Sequence, residues 1–360
     1  MRIIQSLEGK SWSGGQQQAL LLANGLKEKG HEVLLVCHLD GELEKRAGKI
    51  GIQVVPHKFR GEMNPISILK MNKIFQEFQP EIVNVHRAWA HTQWLIVSLF
   101  NRFKGLIVTR RVLFRPEKNP LSLAKYRSPV VKGFIAVSEA VSQRLQEQGV
   151  SGKKIKVVFS ATDTERFDPS RCEGLTSELP FSEGTPFILF IGNYHPNKGH
   201  HVVVKAFDSI ADKWPELRLV IAGNGCENEK FVREIDQSRN SQRINNLGFR
   251  TDIPALMKRA IAYTNASFEE GFSGTIRESL SMGLPVIASD IPANREIGKI
   301  SPISFFKCGS IEDLGIRFLE MKNKRDVEFS KTLREGAVKF FGKEMMINNT
   351  LDAYRSFLRV

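Results

Sequence analysis

The sequence contains no apolar run approaching the roughly 20 residues that a membrane-spanning helix needs. Its opening, MRIIQSLEGKSW, is too short in its apolar part for a secretory signal. Neither an integral membrane protein nor an exported one is expected. Cysteine is scarce and dispersed: Cys37, Cys172, Cys226 and Cys308 form no C-x-x-C pair and no His/Cys cluster. That disfavours a disulfide framework or a thiolate metal site and fits idle thiols in a reducing cytoplasm. G-x-G-x-x-G is missing after the first strand, so a nicotinamide dinucleotide is disfavoured. Asp-x-Asp, internal repeats and low-complexity stretches are missing too.

What is present suffices for substantial cores. The chain has 360 residues, 41% of them hydrophobic, which suits two domains. The net charge of +13 is lopsided: residues 1–160 hold 25 Lys and Arg against 12 Asp and Glu, while residues 161–360 balance. From Arg102 to Lys132 the run Arg102, Lys104, Arg110, Arg111, Arg115, Lys118, Lys125, Arg127 and Lys132 meets only Glu117. A solvated basic face is one reading. The other is an anionic partner: a phospholipid surface, a phosphorylated acceptor or nucleic acid.

Strands and helices alternate along the chain. Arg2–Gln5 reads as a strand, Ser13-Gly14-Gly15 as a glycine loop, and Ala19 to Leu26 as a helix ended by Gly30. His31–Val36 is the next strand, completing a βαβ unit whose loop can approach phosphate. Gln53–Val55, Ile82–Val85, Leu106–Thr109 and Phe134–Val137 follow as strands, with helices at Ile66–Phe78 and Trp94–Phe100, and Lys156–Ser160 ends the first domain. Ligands of open parallel sheets gather beyond the carboxyl ends of the strands. His86, Arg110, Arg111 and Ser138 each follow a strand and are candidates to face such a ligand, although Ser138 also begins a helix-start string, S-E-A-V-S. Residues 170–185 are polar and turn-rich, as in a linker. Further strands are expected at Phe187–Gly192 and Leu217–Ala222, with a helix over Val202–Ile210 between them.

The most informative stretch is Ser267 to Ile297, SFEEGFSGTIRESLSMGLPVIASDIPANREI. Gly271 and Gly274 flank Phe272 and Ser273, so the backbone there can bend and approach a ligand closely. A helix is expected from Thr275 to Met282, stopped by Gly283 and Pro285, with a strand at Val286–Ala288. A glycine-bearing loop feeding a helix N-terminus presents unpaired N–H groups at the positive end of the helix dipole, which suits phosphate. Glu270 and Glu278 bracket that loop. Glu278 has two readings: a ligand-binding carboxylate, or the closing residue of a Thr275-x-x-Glu278 capping box.

The ordered string Glu270-Gly271-Phe272, Glu278, Gly283-Leu284-Pro285-Val286-Ile287-Ala288-Ser289 and Glu296 resembles the signature of the retaining GT-B glycosyltransferases of family 4, the group 1 transferases. Other segments are similar to that family's as well. Gly14-Gly15 matches its loop facing the donor diphosphate, and Ser160–Asp163 with Phe167 and Pro169 its interdomain segment. Gly192 to Lys198-Gly199 resembles its G-R-x…K-G segment, and Asn246–Arg250 the L-G segment that reads the nucleobase. The implied fold is α/β GT-B, with two doubly wound Rossmann-like domains, an interdomain cleft and a C-terminal crossover helix. Residues 1–162 would be the acceptor-side domain, 163–342 the nucleotide-sugar domain, and 343–360 the helix returning to the first.

The resemblance also implies a chemistry. A nucleotide-diphospho sugar would be the donor, held by Gly14, Gly15, Asn193, Lys198, Gly248, Arg250, Glu270, Gly271, Phe272, Ser273, Gly274, Thr275 and Glu278. Glu270 would contact sugar hydroxyls, the N–H groups of Phe272 to Thr275 the sugar and phosphates, and Glu278 the ribose. Lys198 would stabilise charge on the leaving diphosphate, and Glu270, Lys198 and His86 are the candidates nearest the reaction. Neither a metal nor another cofactor is expected. Two departures stand out. Where relatives carry a histidine near a strand end, this chain has Arg110-Arg111, permanently charged and suited to an acceptor's phosphate or carboxylate. The arginine expected near Asn193 or Tyr194 is missing, and Arg277 is the candidate substitute. With His86 and Ser138, the arginines imply an anionic glycolipid or phosphorylated saccharide acceptor. An enzyme in the cytoplasm, in peripheral contact with anionic lipid on the inner face of the cell membrane, would fit the charge. The competing readings are a GT-B epimerase or phosphorylase, and a nucleic-acid-binding protein. The last is favoured by charge alone, so no nucleic acid is expected.

Overall fold

Apolar runs too short for helices and bounded by glycine and polar turns become strands covered on both faces. The computed structural model describes residues 1–114, 119–172, 178–323 and 326–358. Arg115, Glu117 and Lys118 of the basic run, and residues 173–177 of the expected linker, lie outside the described residues. The chain divides into two units, one formed by Met1–Ala161 with Lys343–Val360, the other by Thr162–Gly342.

The first unit holds β1 (Arg2–Leu7), β2 (Glu32–His38), β3 (Gln53–His57), β4 (Ile82–Val85), β5 (Gly105–Arg110), β6 (Val131–Ala136) and β7 (Ile155–Val157). They form one parallel sheet in the order β3-β2-β1-β4-β5-β6-β7. In the second unit β8 (Phe187–Ile191), β9 (Arg218–Ala222), β10 (Ile244–Asn246), β11 (Ala262–Asn265), β12 (Val286–Ser289) and β13 (Ser304–Phe306) form another. Its order is β10-β9-β8-β11-β12-β13, again all parallel. β4, β5 and β12 are buried along their whole length, as expected where helices cover both faces. In each sheet the chain works outward on one side, then returns and continues on the other. The reversal falls between β1 and β4 and between β8 and β11, and the crevice beyond such a point is where ligands of doubly wound sheets bind.

The C-terminal helix Lys343–Leu358 belongs to the first unit and lies on it at positions kept clear by glycine. A Cβ on Gly25 would come within 2.0 Å of Ile347, on Gly105 within 2.9 Å of Leu358, and on Gly133 within 2.3 Å of Phe357. Tyr354 drives its hydroxyl into the sheet, accepting hydrogen bonds from Gln5 Nε2 at 3.0 Å and Asn84 Nδ2 at 2.7 Å.

Two expectations need correction. Gly14 and Gly15 are the first residues of helix Gly14–Glu28, with Ser13 as the extended residue before it, rather than a preceding loop. The helix expected over Trp94–Phe100 runs over Ala88–Val97. Asn101 Nδ2 donates to the Val97 carbonyl at 3.0 Å and closes the helix there, although Leu99 and Phe100 continue its apolar composition. Among the described residues, no helix is long and apolar enough to cross a membrane.

Candidate active site

At the reversal point of the second sheet, the loops after β8 and β11 are stitched together by backbone. Gly199, at φ +71°, takes a conformation that L side chains rarely adopt, and a Cβ there would lie 2.2 Å from the Ala266 carbonyl oxygen. Phe268 N–H donates to the Asn197 carbonyl at 2.8 Å. This close approach carries Lys198, at the end of the short turn Pro196–Lys198, against Glu270. Lys198 Nζ donates to Glu270 Oε1 at 2.6 Å, and Ser267 Oγ donates to the same oxygen at 2.8 Å. Glu270 Oε2 takes no hydrogen bond from the described residues. Asn193 braces the neighbouring turn, its Oδ1 accepting the Asn224 N–H at 3.2 Å.

Beneath the loop lies a polar floor, of which Asn265, Asn294 and Tyr263 were not singled out in the sequence. Asn265 closes β11, where its Oδ1 accepts from Asn294 Nδ2 at 3.3 Å and from the Ser267 N–H at 3.4 Å. Ser289 Oγ, at the end of β12, donates to the Ser267 carbonyl at 2.6 Å. Tyr263 Oη donates to Thr275 Oγ1 at 2.8 Å, tying the core of β11 to the first turn of the next helix. The available signal was a polar residue at the carboxyl end of a short buried strand, beyond which parallel sheets bind ligands.

The helix itself spans Gly274–Ser281, and its N-cap is Ser273, which makes no side-chain capping hydrogen bond. Thr275 sits inside the first turn with its hydroxyl occupied by Tyr263, so the Thr275-x-x-Glu278 capping box does not form. Glu278 is left without a hydrogen-bond donor among the described residues. Burial pushes its carboxyl above the usual carboxylate range, against the opposing pull of Arg277 and Arg166. The loop glycines also differ from expectation. Neither Gly271 nor Gly274 has positive φ, and a Cβ on Gly274 would meet nothing nearer than Arg277 at 3.8 Å. The fold does not require glycine at 274; open space in front of the backbone is what glycine preserves there. Phe272 is buried, its ring packed edge-on against Phe341 at 5.9 Å.

Arg277, the candidate for the missing diphosphate arginine, packs under the loop. It is buried, its Nε donating to the Ser273 carbonyl at 3.2 Å and its Nη1 to Thr162 Oγ1 at 3.1 Å, with the guanidinium over Phe272. It holds the loop. Arg250 is similarly paired, gripping Asp252 in a fork of 2.7 and 2.5 Å. Gly248, at φ +60°, offers backbone instead: its carbonyl accepts from the Gly223 N–H at 2.8 Å.

In the first unit, Gly14 and Gly15 open a helix whose Ser13 likewise makes no capping bond, and a Cβ on Gly14 would meet nothing within 4 Å. His86 follows β4 and is buried. Its Nε2 donates to Gln5 Oε1 at 2.6 Å, and its Nδ1 accepts from Arg111 Nε at 3.4 Å. Burial, reinforced by Arg111 and Arg110, holds it well below the usual histidine range and hence neutral. Both ring nitrogens of His86 are thus engaged, one of them by Arg111. Arg110 is also buried, its Nη2 3.3 Å from His91 Nδ1 and its guanidinium over Tyr126. Ser138 is buried too, its Oγ accepting from the Val141 N–H at 3.2 Å as the N-cap of helix Glu139–Glu147. It serves as a cap and keeps its own O–H to donate. Arg111 is the half-buried member of the set, bonded also to Ser160 Oγ at 3.3 Å.

Comparison with known proteins agrees with this architecture. Residues 175–335 match the family Glycosyl transferases group 1, and residues 12–166 match Glycosyltransferase Family 4. The chain belongs to the group 1 glycosyltransferases and has their GT-B fold; it is a glycosyltransferase, a transferase of the EC 2.4 type. It is 24% identical over 246 residues to the uncharacterized glycosyltransferase MJ1059 of Methanocaldococcus jannaschii, covering 63% of this chain and 60% of that protein. It is 23% identical over 313 residues to the phosphatidyl-myo-inositol mannosyltransferase of Mycolicibacterium smegmatis, covering 81% and 77% respectively. Among solved structures, Anabaena HepE in complex with UDP superposes with a TM-score of 0.84 at 18% identity, over 99% of this chain and 100% of that one.

Proposed function

We propose that the protein transfers a sugar from a nucleotide-diphospho sugar to an anionic acceptor, lipid-linked or of the lipopolysaccharide-core kind, at the cytoplasmic face of the membrane. Transfer retains configuration and uses no metal. The observation that carries this reading is the joint placement of Lys198, Glu270 and an uncapped helix N-terminus at the reversal point of the second sheet, with Glu278 desolvated beside them.

Each group has a task. The donor's diphosphate sits by Lys198 and the first-turn N–H groups of helix 274–281, which stabilise the negative charge that grows as the sugar departs. Glu270 accepts hydrogen bonds from sugar hydroxyls through the oxygen that Lys198 and Ser267 leave open. Glu278 takes the ribose hydroxyls, regaining the donors that burial denies it. The acceptor oxygen bonds to the anomeric carbon on the face that the diphosphate leaves, and the acceptor's proton passes to the departing phosphate oxygen. That step needs no protein base, consistent with the engaged nitrogens of His86. Arg111, steered by His86, is matched to an anionic group on the acceptor. The UDP complex of HepE and the phospholipid acceptor named for the mycobacterial relative support the donor and acceptor classes.

A thermal-shift screen against UDP-, GDP- and ADP-sugars tests the reading. One nucleotide class is expected to raise the melting temperature, with or without EDTA. Transfer from that donor should give product of unchanged anomeric configuration by NMR. Indifference to every sugar nucleotide would sink the proposal.

A further inference from the structure

Helix Pro65–Phe78 buries Met71, Ile74, Phe75 and Phe78 on one side and leaves Ile66, Leu69, Lys70 and Lys73 exposed on the other. Their spacing of three, four and seven residues aligns them in one stripe along the helix. Leu69 is 68% exposed. Beside the stripe stands the turn that follows helix Ala88–Val97, where Leu99 is 76% and Phe100 71% exposed. This turn is mounted firmly: Phe103 stacks on Phe75 with centroids 4.4 Å apart, and Asn101 Nδ2 donates to Asn72 Oδ1 at 2.5 Å. Large apolar side chains are thus held in water by a rigid support, where burying them would be favourable.

The surrounding charge selects the partner. Lys70, Arg102 and Lys104 are exposed and have no carboxylate partner among the described residues, while Lys73 meets Glu77 in an exposed pair at 3.6 Å. Apolar residues ringed by unneutralised cations match the boundary between acyl chains and anionic headgroups, where the apolar groups insert and the cations remain at headgroup level. We propose that this surface, the Ile66–Lys73 stripe with the Leu99–Lys104 turn, docks the protein on an anionic phospholipid bilayer. The inference deepens the membrane-facing part of the function proposed above and rests on it for its biological setting.

The test is co-sedimentation with phosphatidylcholine vesicles, with and without about one-third phosphatidylglycerol, at low and high salt. The wild-type protein is expected to bind the anionic vesicles, less so as salt rises. The pair Leu99→Ser with Phe100→Ser, both at exposed positions, should weaken partition roughly tenfold or more. The triple change Lys70→Glu, Arg102→Glu, Lys104→Glu should weaken it on the order of a hundredfold for anionic vesicles. Both variants should keep the wild-type thermal shift with the donor nucleotide. Vesicle binding unaltered by both sets of changes would overturn the proposal, as would no binding at low salt. So would a wild-type dimer, seen by sedimentation velocity, that the Leu99/Phe100 variant dissociates without losing vesicle binding, because a second copy would then cover the surface. A donor shift without vesicle binding defeats this surface and leaves sugar transfer standing; vesicle binding without a donor shift does the reverse.

Discussion

Gly199 follows Lys198 and Gly274 lies four residues beyond Glu270, and they are glycine for different reasons. A Cβ at 199 would collide with the Ala266 carbonyl in a left-handed backbone, whereas one at 274 would enter open space at the head of a helix. Gly199→Ala should therefore cost at least about 2 kcal/mol in urea unfolding. Gly274→Ala should leave stability equal or higher, since alanine is the better helix former by up to about 1 kcal/mol, yet weaken donor affinity. Equal loss of stability in both variants would contradict this division. Glu278→Gln separates binding from capping in the same way. With no cap to lose and a buried charge removed, the melting temperature should hold or rise. Affinity for the donor should fall by roughly tenfold to a hundredfold, the worth of charge-assisted hydrogen bonds to the ribose. The carboxylates themselves were legible in the sequence by spacing. Whether Thr275 capped the helix was not, because its hydroxyl is claimed by Tyr263 from β11.

At the scale of elements, the C-terminal helix shows how a local pattern acquires a distant partner. Its helical character follows from its own residues, but its seat depends on Gly25, Gly105 and Gly133 and on one hydroxyl. Tyr354→Phe would leave Gln5 Nε2 without its acceptor and take one from Asn84, deep in the first sheet. A loss of roughly 2–4 kcal/mol is expected by urea unfolding, and a neutral result would show that these amides repair themselves. The helix ending at Val97 makes the complementary point. Apolar composition carried the expected helix on to Phe100, but Asn101 takes the Val97 carbonyl and turns the chain outward. A side-chain cap arriving from beyond the helix outweighs composition, and it leaves Leu99 and Phe100 in solvent.

For the molecule as a whole, acid stability is set by buried neutral histidines. His57 and His200 are each depressed to about 4, and His86 and His91 are held well below the ordinary value. Burial is the first cause in all four, reinforced by nearby cations. The unfolded chain binds protons on these rings near pH 6.5, and the native protein does not. Stability present above that pH is therefore lost as pH falls toward the folded values. Glu278, pushed up, works in the opposite sense, but it is one group against four. The unfolding free energy from urea titrations should decline steadily from about pH 7 to pH 4, by several kcal/mol in total. A flat profile over that range would mean that the rings protonate in place.

The sequence by itself determined the alternation of strand and helix, the dispersal of the four cysteines, the lopsided charge and the ordered acidic string. Each of these rests on composition or on spacing within a few residues, where chain geometry is local. Only the tertiary structure decided which of those side chains remain available. Lys198 and Glu270 are 72 residues apart and meet because β8 and β11 are neighbours. Arg277 and His86 were candidates by position, and each is engaged by a partner far away in the sequence, Thr162 and Gln5 respectively. A hydrogen bond or a buried contact is a statement about what lies opposite, and strand order and register supply that.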